Sequence, residues 1–287
     1  MADVTAIILT MNESKNIVEC IRSIRNFVSR IVVVDSGSSD NTVDIAKHLG
    51  AEVYIHEFEN YALQFNWGLD NTNITTKWVL RLDADERLTS ELCIEAEQAI
   101  KVHNDDDTNG MIIRLRNFFL GRFIKHGGAY PFRKLMLFKF GIGRIENRKM
   151  DEHTILSCGR TIELENDGTH FDFKNLNHWI NKHNWYATRE MQDYYETNNK
   201  GSIEKMPGEN IKIRRRQKYL YYKIPIFIRP FLIFIYRYFF QLGFLDGKEG
   251  LIFNFLSSYW YRFLVDAKIY EHKKMGGEME KTGELKG

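Results

Sequence analysis

The chain is poor in cysteine and proline, and these shortages exclude several classes of protein. Its 287 residues include four prolines and three cysteines, Cys20, Cys93 and Cys158. Three widely spaced cysteines cannot form a disulfide framework or the paired clusters of a structural zinc site, and they fit a reducing, cytosolic setting. Residues 1–13 have no basic segment before a long apolar run, so we expect no secretory signal. With 44% hydrophobic and 27% charged residues, the chain is expected to fold and not to be disordered, collagenous or a coiled coil.

Basic residues are concentrated towards the C-terminus, although the formal net charge is only +2. Residues 200–287 contain 17 Lys and Arg against 9 Asp and Glu, whereas residues 1–199 contain 23 against 29. Residues 210–237 contain eight basic residues and no acidic one. The overlapping range 219–240 contains ten aromatic residues. This asymmetry predicts one domain over 1–200 and a separate C-terminal helical region over 201–287.

Residues 1–100 alternate short apolar runs with segments of helical periodicity, which predicts an α/β fold. The predicted strands are 4–9, 30–34, 52–56 and 78–82, and the predicted helices are 17–24, 42–49 and 61–70. The second run is apolar without alternation, as expected of a strand that is covered on both faces. Such an order implies a mostly parallel sheet with right-handed crossovers, and ligands bind such sheets at the carboxyl ends of the strands.

Acidic residues follow the second and fourth predicted strands. Asp35 ends the second strand, and Asp83 and Asp85 end the fourth, where side-chain alternation would put the latter two on one side of an extended segment. Two carboxylates at a strand end suit Mn²⁺ or Mg²⁺, which would neutralise a diphosphate leaving group. Taken alone, a D-x-D is more often a solvated turn, and 35–40 is more often a turn in which Asp40 caps the next helix.

In combination, these motifs resemble those of family-2 inverting glycosyltransferases, which have the GT-A nucleotide-sugar-binding fold. The resemblance rests on Thr10-Met11-Asn12-Glu13, on 35–42 and on Asp83-Ala84-Asp85. The segments 121–131 and 148–153 are similar to acceptor-side motifs of bacterial enzymes that build capsule, lipopolysaccharide and O-antigen sugars. The segments 179–190 and 229–250 look like those of a subgroup that acts at the cytoplasmic membrane. The resemblance covers almost the whole chain and implies a nucleotide-sugar half over 1–100 and an acceptor half over 101–200.

The resemblance implies roles for residues around the donor. Asp35 would bind the nucleotide base or ribose, Asp83 would face the ribose and metal-bound water, and Asp85 would ligate Mn²⁺ or Mg²⁺ directly. The other donor contacts that the resemblance implies are Thr10, Asn12, Glu13, Ser36, Gln64 and Arg81. Phe65 stands where the family usually has an arginine, which leaves the roles of Gln64 and Asn66 open.

The resemblance also implies a general base on the acceptor side, at Glu152 or Asp151. Inverting transfer needs a carboxylate at the acceptor hydroxyl while its oxygen attacks the anomeric carbon opposite the leaving nucleotide diphosphate. We favour Glu152, because related sequences often read Val-His-Glu where this one reads Met-Asp-Glu over 150–152. Asp151 stays an alternative, and without the other motifs the segment would be interpreted as an exposed polar turn.

Other polar residues of the acceptor half have two interpretations each. Arg133 and Lys134 either reach the donor diphosphate or an acceptor phosphate, or are surface charges beside an apolar strand. His126 either contacts the sugar or the acceptor, or is a solvated loop histidine. Trp179 begins a helical repeat that continues to Met191 and predicts a helix packed on the sheet domain.

The basic, aromatic region near the C-terminus has three interpretations. A transmembrane helix over 224–245 would be long enough, but its prolines and arginines make a span costly. A nucleic-acid surface would need an RNA-binding motif, and none accompanies it. We favour an amphipathic element in the plane of an anionic membrane, although these helices could instead pack on the catalytic domain or on another subunit. The residues expected to contact the membrane are Arg214, Arg215, Arg216, Phe227, Arg229, Phe231 and Arg237.

The sequence therefore predicts a transferase that moves a hexose or N-acetylhexosamine from a UDP-sugar to a lipid-linked glycan acceptor in bacterial surface polysaccharide biosynthesis. Inversion predicts a β-linkage, and we expect a peripheral location on the cytoplasmic face of the inner membrane. We expect no nucleic-acid partner, and association with another copy of the chain is left open. A sugar nucleotidyltransferase should have a Gly-rich basic loop after the first strand, and a dinucleotide oxidoreductase should have G-x-G-x-x-G; neither occurs there. A catalytically inactive membrane-bound scaffold is the remaining alternative.

Overall fold

The structure is a computed structural model that describes residues 1–147, 152–171, 174–200 and 209–275, apart from the side chains of 196–200 and 209–215. The described residues form two units, one within 1–117 and 131–172 and the other within 118–130 and 173–286. The chain thus passes from one unit to the other near residues 118, 131 and 173, whereas the sequence predicted one boundary at residue 200.

The first unit is built on a mixed sheet. The strands, including the short β7 of the second unit, are β1 (Ala2–Thr10), β2 (Val28–Asp35), β3 (Glu52–Ile55), β4 (Trp78–Asp83), β5 (Glu86–Leu88), β6 (Thr108–Phe119), β7 (Arg122–Phe123), β8 (Phe132–Lys139), β9 (Gly143–Ile145), β10 (Thr154–Leu156) and β11 (Arg160–His170). β9 and β10 form a separate two-stranded sheet. The order in the main sheet is β3-β2-β1-β4-β8-β6-β11-β5. The first four of these strands are parallel, as predicted, and β8 is antiparallel to both of its neighbours.

Helices cover both faces of the parallel strands. The helices of the first unit are α1 (Ile17–Ile24), α2 (Thr42–His48), α3 (Tyr61–Asn71) and α4 (Ser90–Val102). Side chains of β1 alternate between the two faces, so that Ile8 packs with α1 and Ile7 with α3. Phe65 is fully buried in α3 and packs 6.3 Å from Phe138, which explains why an apolar residue replaces the usual arginine. Its burial contributes about 1.5–3 kcal/mol.

The register of the parallel strands brings the predicted donor residues to one edge. Thr10 pairs with Asp35 at the end of the β1–β2 ladder, and Leu9 pairs with Asp83 at the end of the β1–β4 ladder. The carboxyl ends of β1, β2 and β4 therefore meet at the same place, which is where such sheets bind ligands.

The second unit is helical, apart from the hairpin of β7 with the end of β6. Its helices are α5 (Leu176–Lys200), α6 (Glu209–Lys223), α7 (Ile228–Ile235), α8 (Gly247–Asn254) and α9 (Tyr261–Met275), with π-helical segments at Tyr236–Phe240 and Phe255–Trp260 and a 3₁₀ turn at Gly243–Asp246. The buried face of α5 packs on α9 through Ala187 and Met191. The predicted α5 helix is thus present, and Ala187 and Met191 of its predicted apolar face pack on α9, whereas Trp179 packs against Phe119, the last residue of β6.

Two residues expected at a membrane have other surroundings in the second unit. Arg229 is 1% exposed and forms an ion pair with Asp266, with Nε 2.8 Å from Oδ1, so it is a structural residue and not a membrane contact. Phe227 is partly buried against Phe263 and Tyr270. Phe231 is 53% exposed, as a membrane contact requires. The side chains of Arg214 and Arg215 lie outside the described residues, and that of Arg216 is exposed.

Within the described residues, each helix by itself is too short or too polar to cross a membrane. One pair, 228–240 and 243–275, has sufficient length and apolar composition when taken together, but it is bent by 72°. The exposed large apolar side chains of this pair include Tyr236, Phe239 and Phe240. The second unit thus carries an exposed aromatic surface on a bent pair of helices.

Candidate donor and metal site

Two loops are joined by hydrogen bonds at the carboxyl ends of β1 and β2. The side chain of Asn12, a residue with φ of 56°, accepts hydrogen bonds from Ser39 N and Asp40 N, and Asn12 N donates to Ser38 Oγ at 2.8 Å. Glu13 N donates to Thr42 Oγ1 at 2.8 Å. α2 begins at Thr42, and Asp40 Oδ1 accepts a hydrogen bond from Thr42 N at 3.0 Å, as the side chain of a capping residue does. Although burial raises it, hydrogen bonds from Thr42 and Ser14 lower the pKa of Asp40 to about 2.

Asp35 is fully buried beneath this loop pair. Its carboxylate accepts hydrogen bonds from Thr10 Oγ1 at 2.8 Å, from Gly37 N at 2.9 Å, and from Ser38 N and Oγ at 2.7 and 2.6 Å. Gly37 has φ of 87°, a conformation that favours glycine. Asp35 thus fixes the shape of the loop that follows β2.

Gln64 connects the same loop with the end of β3. It is buried, and its Nε2 donates to Ser36 Oγ and to His56 O, both at 3.0 Å, while its Oε1 lies 2.7 Å from His56 Nδ1. Asn66, two residues further along α3, exchanges two hydrogen bonds with the backbone of Ile145 in β9. Ser36 and Gln64 therefore lie together at the sheet edge, whereas Asn66 positions a β-strand.

Asp83 is the centre of a charge network at the end of β4, and its side chain is partly buried. Its carboxylate lies 2.6 Å from Lys134 Nζ and accepts a hydrogen bond from Tyr61 Oη at 2.5 Å, and the same Lys134 lies 2.7 Å from Glu86. Arg81 donates from Nε to Tyr61 Oη at 2.9 Å. Burial by itself would raise the pKa of Asp83, but Lys134 and Arg81 hold it well below its usual range. Burial raises the pKa of Glu86, against the lowering effect of Lys134.

The D-x-D segment is a turn and not the extended segment that we predicted. β4 ends at Asp83, residues 84–85 form the turn, and β5 begins at Glu86. The two carboxylates consequently have different partners, since Asp85 lies 3.5 Å from His170 Nε2 instead of beside Lys134. The alternation argument was wrong because it assumed that the strand continued through Asp85.

Three residues of this region were missed at the level of sequence: Tyr61, Glu86 and His170. Pairing of β5 with β11 places His170 opposite Glu86, and thereby near Asp85. His170 ends the largely polar strand β11, so the sequence carried little signal for it, and the strand partner could not be read from the sequence.

The donor atoms at this edge fit a divalent cation that is completed by substrate. Among the described residues, no three His, Cys, Asp or Glu side chains already form a metal-binding group. Asp85 and His170 offer a carboxylate oxygen and an imidazole nitrogen at one point, and Asp83 follows β4 two residues earlier. Mn²⁺ and Mg²⁺ are commonly bound by one or two carboxylates together with water and substrate phosphate oxygens.

The predicted acceptor-side residues are separated. Glu152 lies next to β10, which pairs with β9, and its side chain is partly buried. Asp151 lies outside the described residues. Arg133 forms an ion pair with Glu163 at 2.8 Å and is 45% exposed, in agreement with the surface interpretation. Lys134 instead belongs to the charge network around Asp83.

His126 belongs to the second unit. Its backbone N donates to Asp246 Oδ2 at 2.7 Å, and its Nδ1 lies 2.8 Å from Asp246 Oδ1. Gly127 N donates to Gln241 O at 2.9 Å. The solvated-loop interpretation was wrong, because this histidine is attached to the turn before α8.

Comparisons with known proteins give a consistent result. Residues 5–159 match the family model described as Glycosyl transferase family 2. An uncharacterized glycosyltransferase of Rickettsia felis is 28% identical over 94% of this chain and 90% of its own length. The lipopolysaccharide core biosynthesis glycosyltransferase LpsC of Rhizobium meliloti is 26% identical over 93% of this chain and 92% of its own length.

A solved structure supports the fold over nearly the full length. Mannosyltransferase PcManGT from Pyrobaculum calidifontis, in complex with GDP-Man and Mn²⁺, superposes with a TM-score of 0.54 at 14% identity and covers 94% of this chain and 88% of that chain. The likeness shows a shared fold, and the GT-A fold that the sequence predicted is confirmed.

Proposed function

The chain belongs to glycosyl transferase family 2, and from this premise we propose that it is an inverting, metal-dependent enzyme that transfers a hexose or N-acetylhexosamine from a UDP-sugar. The acceptor in this proposal is a lipid-linked glycan of bacterial surface polysaccharide biosynthesis, and the new linkage is β. The observation that carries the proposal is the meeting of Asp35, Asp83 and Asp85 at one edge of the parallel strands.

The donor would bind at the carboxyl ends of β1, β2 and β4. Direct contact of Asp35 with the base or ribose requires the exchange of one present hydrogen bond, such as that from Ser38 Oγ. Thr10, Asn12 and Glu13 supply the loop opposite it. The ordered loop pair would then act as a preformed wall of the nucleotide site.

Asp85 and His170 would hold Mn²⁺ or Mg²⁺, with Asp83 beside them. When bound, the ion supplies positive charge to the diphosphate leaving group. PcManGT, of the same fold, contains Mn²⁺ in its solved complex, which supports this proposal. Lys134 now neutralises Asp83 and Glu86, and its ammonium group would turn towards the donor phosphates once a cation takes up the charge of Asp83.

Glu152 would act as the general base. Its carboxylate would take the proton from the acceptor hydroxyl while the hydroxyl oxygen forms a bond to the anomeric carbon. The bond from that carbon to the diphosphate oxygen breaks, and UDP leaves with the electron pair. A single displacement converts an α-linked donor into a β-linked product.

We further propose that the second unit attaches the enzyme to the cytoplasmic face of the inner membrane. Tyr236, Phe239 and Phe240 are 55%, 51% and 75% exposed, and such a cluster of aromatic side chains is typical of an interfacial element. LpsC, the relative from Rhizobium meliloti, is named for lipopolysaccharide core biosynthesis, which supports a lipid-linked acceptor.

The test is an assay of nucleoside diphosphate release on the full chain, which detects UDP and GDP alike. The donor panel consists of UDP-glucose, UDP-galactose, UDP-N-acetylglucosamine and, for comparison, GDP-mannose, with Mn²⁺, Mg²⁺ or a chelator, each with and without a bacterial membrane-lipid extract. We expect metal-dependent release from one UDP-sugar that the extract stimulates. Release from GDP-mannose alone would refute the UDP donor, and release that a chelator leaves unchanged would refute the metal.

A further inference from the structure

Arg237 differs from the neighbouring arginines of the second unit because no carboxylate balances its charge. Arg229 pairs with Asp266, and Arg262 lies 2.5 Å from a carboxylate oxygen of Glu190. Arg237 donates from one guanidinium nitrogen to Ser258 Oγ at 3.2 Å, and in the described part of the chain it has no acidic partner.

The surroundings of Arg237 make this imbalance unusual. The side chain is half-buried, and burial together with the nearby positive charge of Arg262 lowers the pKa of Arg237 to about 10. Buried charges in proteins are nearly always paired, because an unbalanced one loses its hydration without compensation. At neutral pH the guanidinium is still charged, so an anion is the partner that would compensate it.

A second polar group in the same cluster also has no partner. The hydroxyl of Tyr221 is buried and, within the described residues, makes no hydrogen bond. Tyr221 and Arg237 share Arg262 as a neighbour, because the Tyr221 ring lies 5.7 Å from the guanidinium of Arg262 and the charge of that guanidinium acts on Arg237. Burial raises the pKa of Tyr221 to about 12, so the hydroxyl keeps its proton and can donate. A buried hydroxyl without a partner is rare in native structures.

The backbone around Arg237 and Ser258 is irregular as well. Arg237 lies in the π-helical segment 236–240 and Ser258 in the π-helical segment 255–260. Such segments are rare and occur frequently at functional sites. In the first of them, Tyr236, Phe239 and Phe240 are exposed, so Arg237 and an exposed aromatic surface come from the same turn.

We propose that Arg237, Ser258 and Tyr221 form a binding site for the phosphate group of a lipid, with the lipid chain lying against the exposed aromatic residues of 236–240. A guanidinium and two hydroxyls are all donors, and guanidinium recognises phosphate oxygens in a bidentate manner. The proposal rests on the membrane attachment in the proposed function, but not on the transfer reaction.

The experiment measures binding by ligand-observed NMR with the full chain and no sugar donor. The probes are octyl phosphate below its micelle concentration, 1-octanol, which has the same chain without the phosphate, and inorganic phosphate, which has no chain. The variants are R237Q, Y221F, which removes a single hydroxyl, and R22Q, an exposed arginine of the first unit that controls for loss of one positive charge. A thermal melt of each variant checks folding.

We expect octyl phosphate to bind the wild type more tightly than either other probe. R237Q should weaken this binding about tenfold or more, Y221F by a smaller factor, and R22Q not at all, since charge-assisted hydrogen bonds to phosphate account for the difference. If R237Q does not fold, the binding of octyl phosphate by Y221F tests the proposal by itself. These results would stand even if no UDP were released from any donor, so the two proposals fail separately.

Three results would overturn the inference. Equal binding of octyl phosphate by the wild type, R237Q and Y221F would show that these donors do not contact it. Equal binding of 1-octanol and octyl phosphate would show an apolar surface without a phosphate site. Equal binding of inorganic phosphate and octyl phosphate would show a site for a soluble anion and refute the lipid.

Discussion

Replacement of Lys134 by methionine tests whether its ammonium group holds together the buried carboxylate of Glu86 and the partly buried carboxylate of Asp83. Lys134 lies 2.6 Å from Asp83 and 2.7 Å from Glu86, and its side chain is only 10% exposed. Methionine has nearly the same length and volume, so the substitution removes the charge and leaves the packing largely unchanged. The removal of one partner from a buried ion pair usually destabilises a protein by about 3–5 kcal/mol, because the remaining charge stays buried.

The loss of stability should grow with pH. Burial raises the folded-state pKa of Glu86, and Lys134 opposes this, so K134M should raise that pKa further. A carboxyl with a raised folded pKa costs nothing while it is protonated and destabilises the fold once the pH exceeds its unfolded pKa, about 4.3. The depressed pKa of Asp83 gives stability above about pH 3.9, and K134M removes part of it. The difference in the free energy of unfolding between the wild type and K134M should therefore be smaller at pH 4.5 than at pH 8. The reduction should be about 1.4 kcal/mol for each unit by which K134M raises the pKa of Glu86.

The assay is urea denaturation at both pH values, with hydrogen exchange of peptides from β4 and β8 to report on the first unit alone. K77M is the matched control, because Lys77 forms a pair of similar length, 2.7 Å, with Asp105, whose side chain is 84% exposed. Such surface pairs contribute about 0–1 kcal/mol. The reasoning would be refuted if K134M lost no more free energy of unfolding than K77M at pH 8. It would also be refuted if the loss in K134M were the same at pH 8 and at pH 4.5.

Three further predictions concern the site and the second unit. H170A should raise the Mn²⁺ concentration for half-maximal donor binding at least about tenfold, because an imidazole ligand is lost; an unchanged Mn²⁺ titration would remove His170 from the metal site. E152Q should keep the UDP-sugar dissociation constant, measured by calorimetry, and lose transfer by about 10²–10⁴-fold; transfer at the wild-type rate would mean that another group is the base. D246N should speed hydrogen exchange in 124–128 and destabilise the second unit by about 1–3 kcal/mol, since it weakens two hydrogen bonds to His126; unchanged exchange there would show that Asp246 does not hold this segment.

The parallel half of the fold could be predicted because its signals are local. The apolar run ending at Asp35 and the periodicity of 17–24 each specify one element without help from distant residues. The D-x-D was identified from the sequence, but its shape was not, because the short β5 is a strand only through its pairing with β11. Prediction therefore placed Asp83 and Asp85 at the correct strand end and failed on how they are oriented.

The rest could not be predicted because it depends on contacts between distant parts of the chain. His170 is 85 positions from Asp85, and His126 is 120 positions from Asp246. Arg229 also shows the limit of composition arguments, since one of the five arginines expected to contact the membrane is neutralised inside the helical unit by Asp266. A charge run specifies how many charges are present, but not which of them has a partner.

The assignment of 118–130 to the helical unit has a consequence for the acceptor side. This segment contains most of the motif that resembles acceptor-binding sequences, and it packs through Phe119 and Ile124 against Trp179 and Phe253. At Gly127, with φ of 67°, a Cβ atom would overlap the side chain of Asn254, so the loop can approach α8 this closely only without a side chain. The segment 118–130 and the exposed aromatic surface are thus parts of one unit. If the proposed membrane or lipid phosphate holds that surface, it would also fix the position of 118–130.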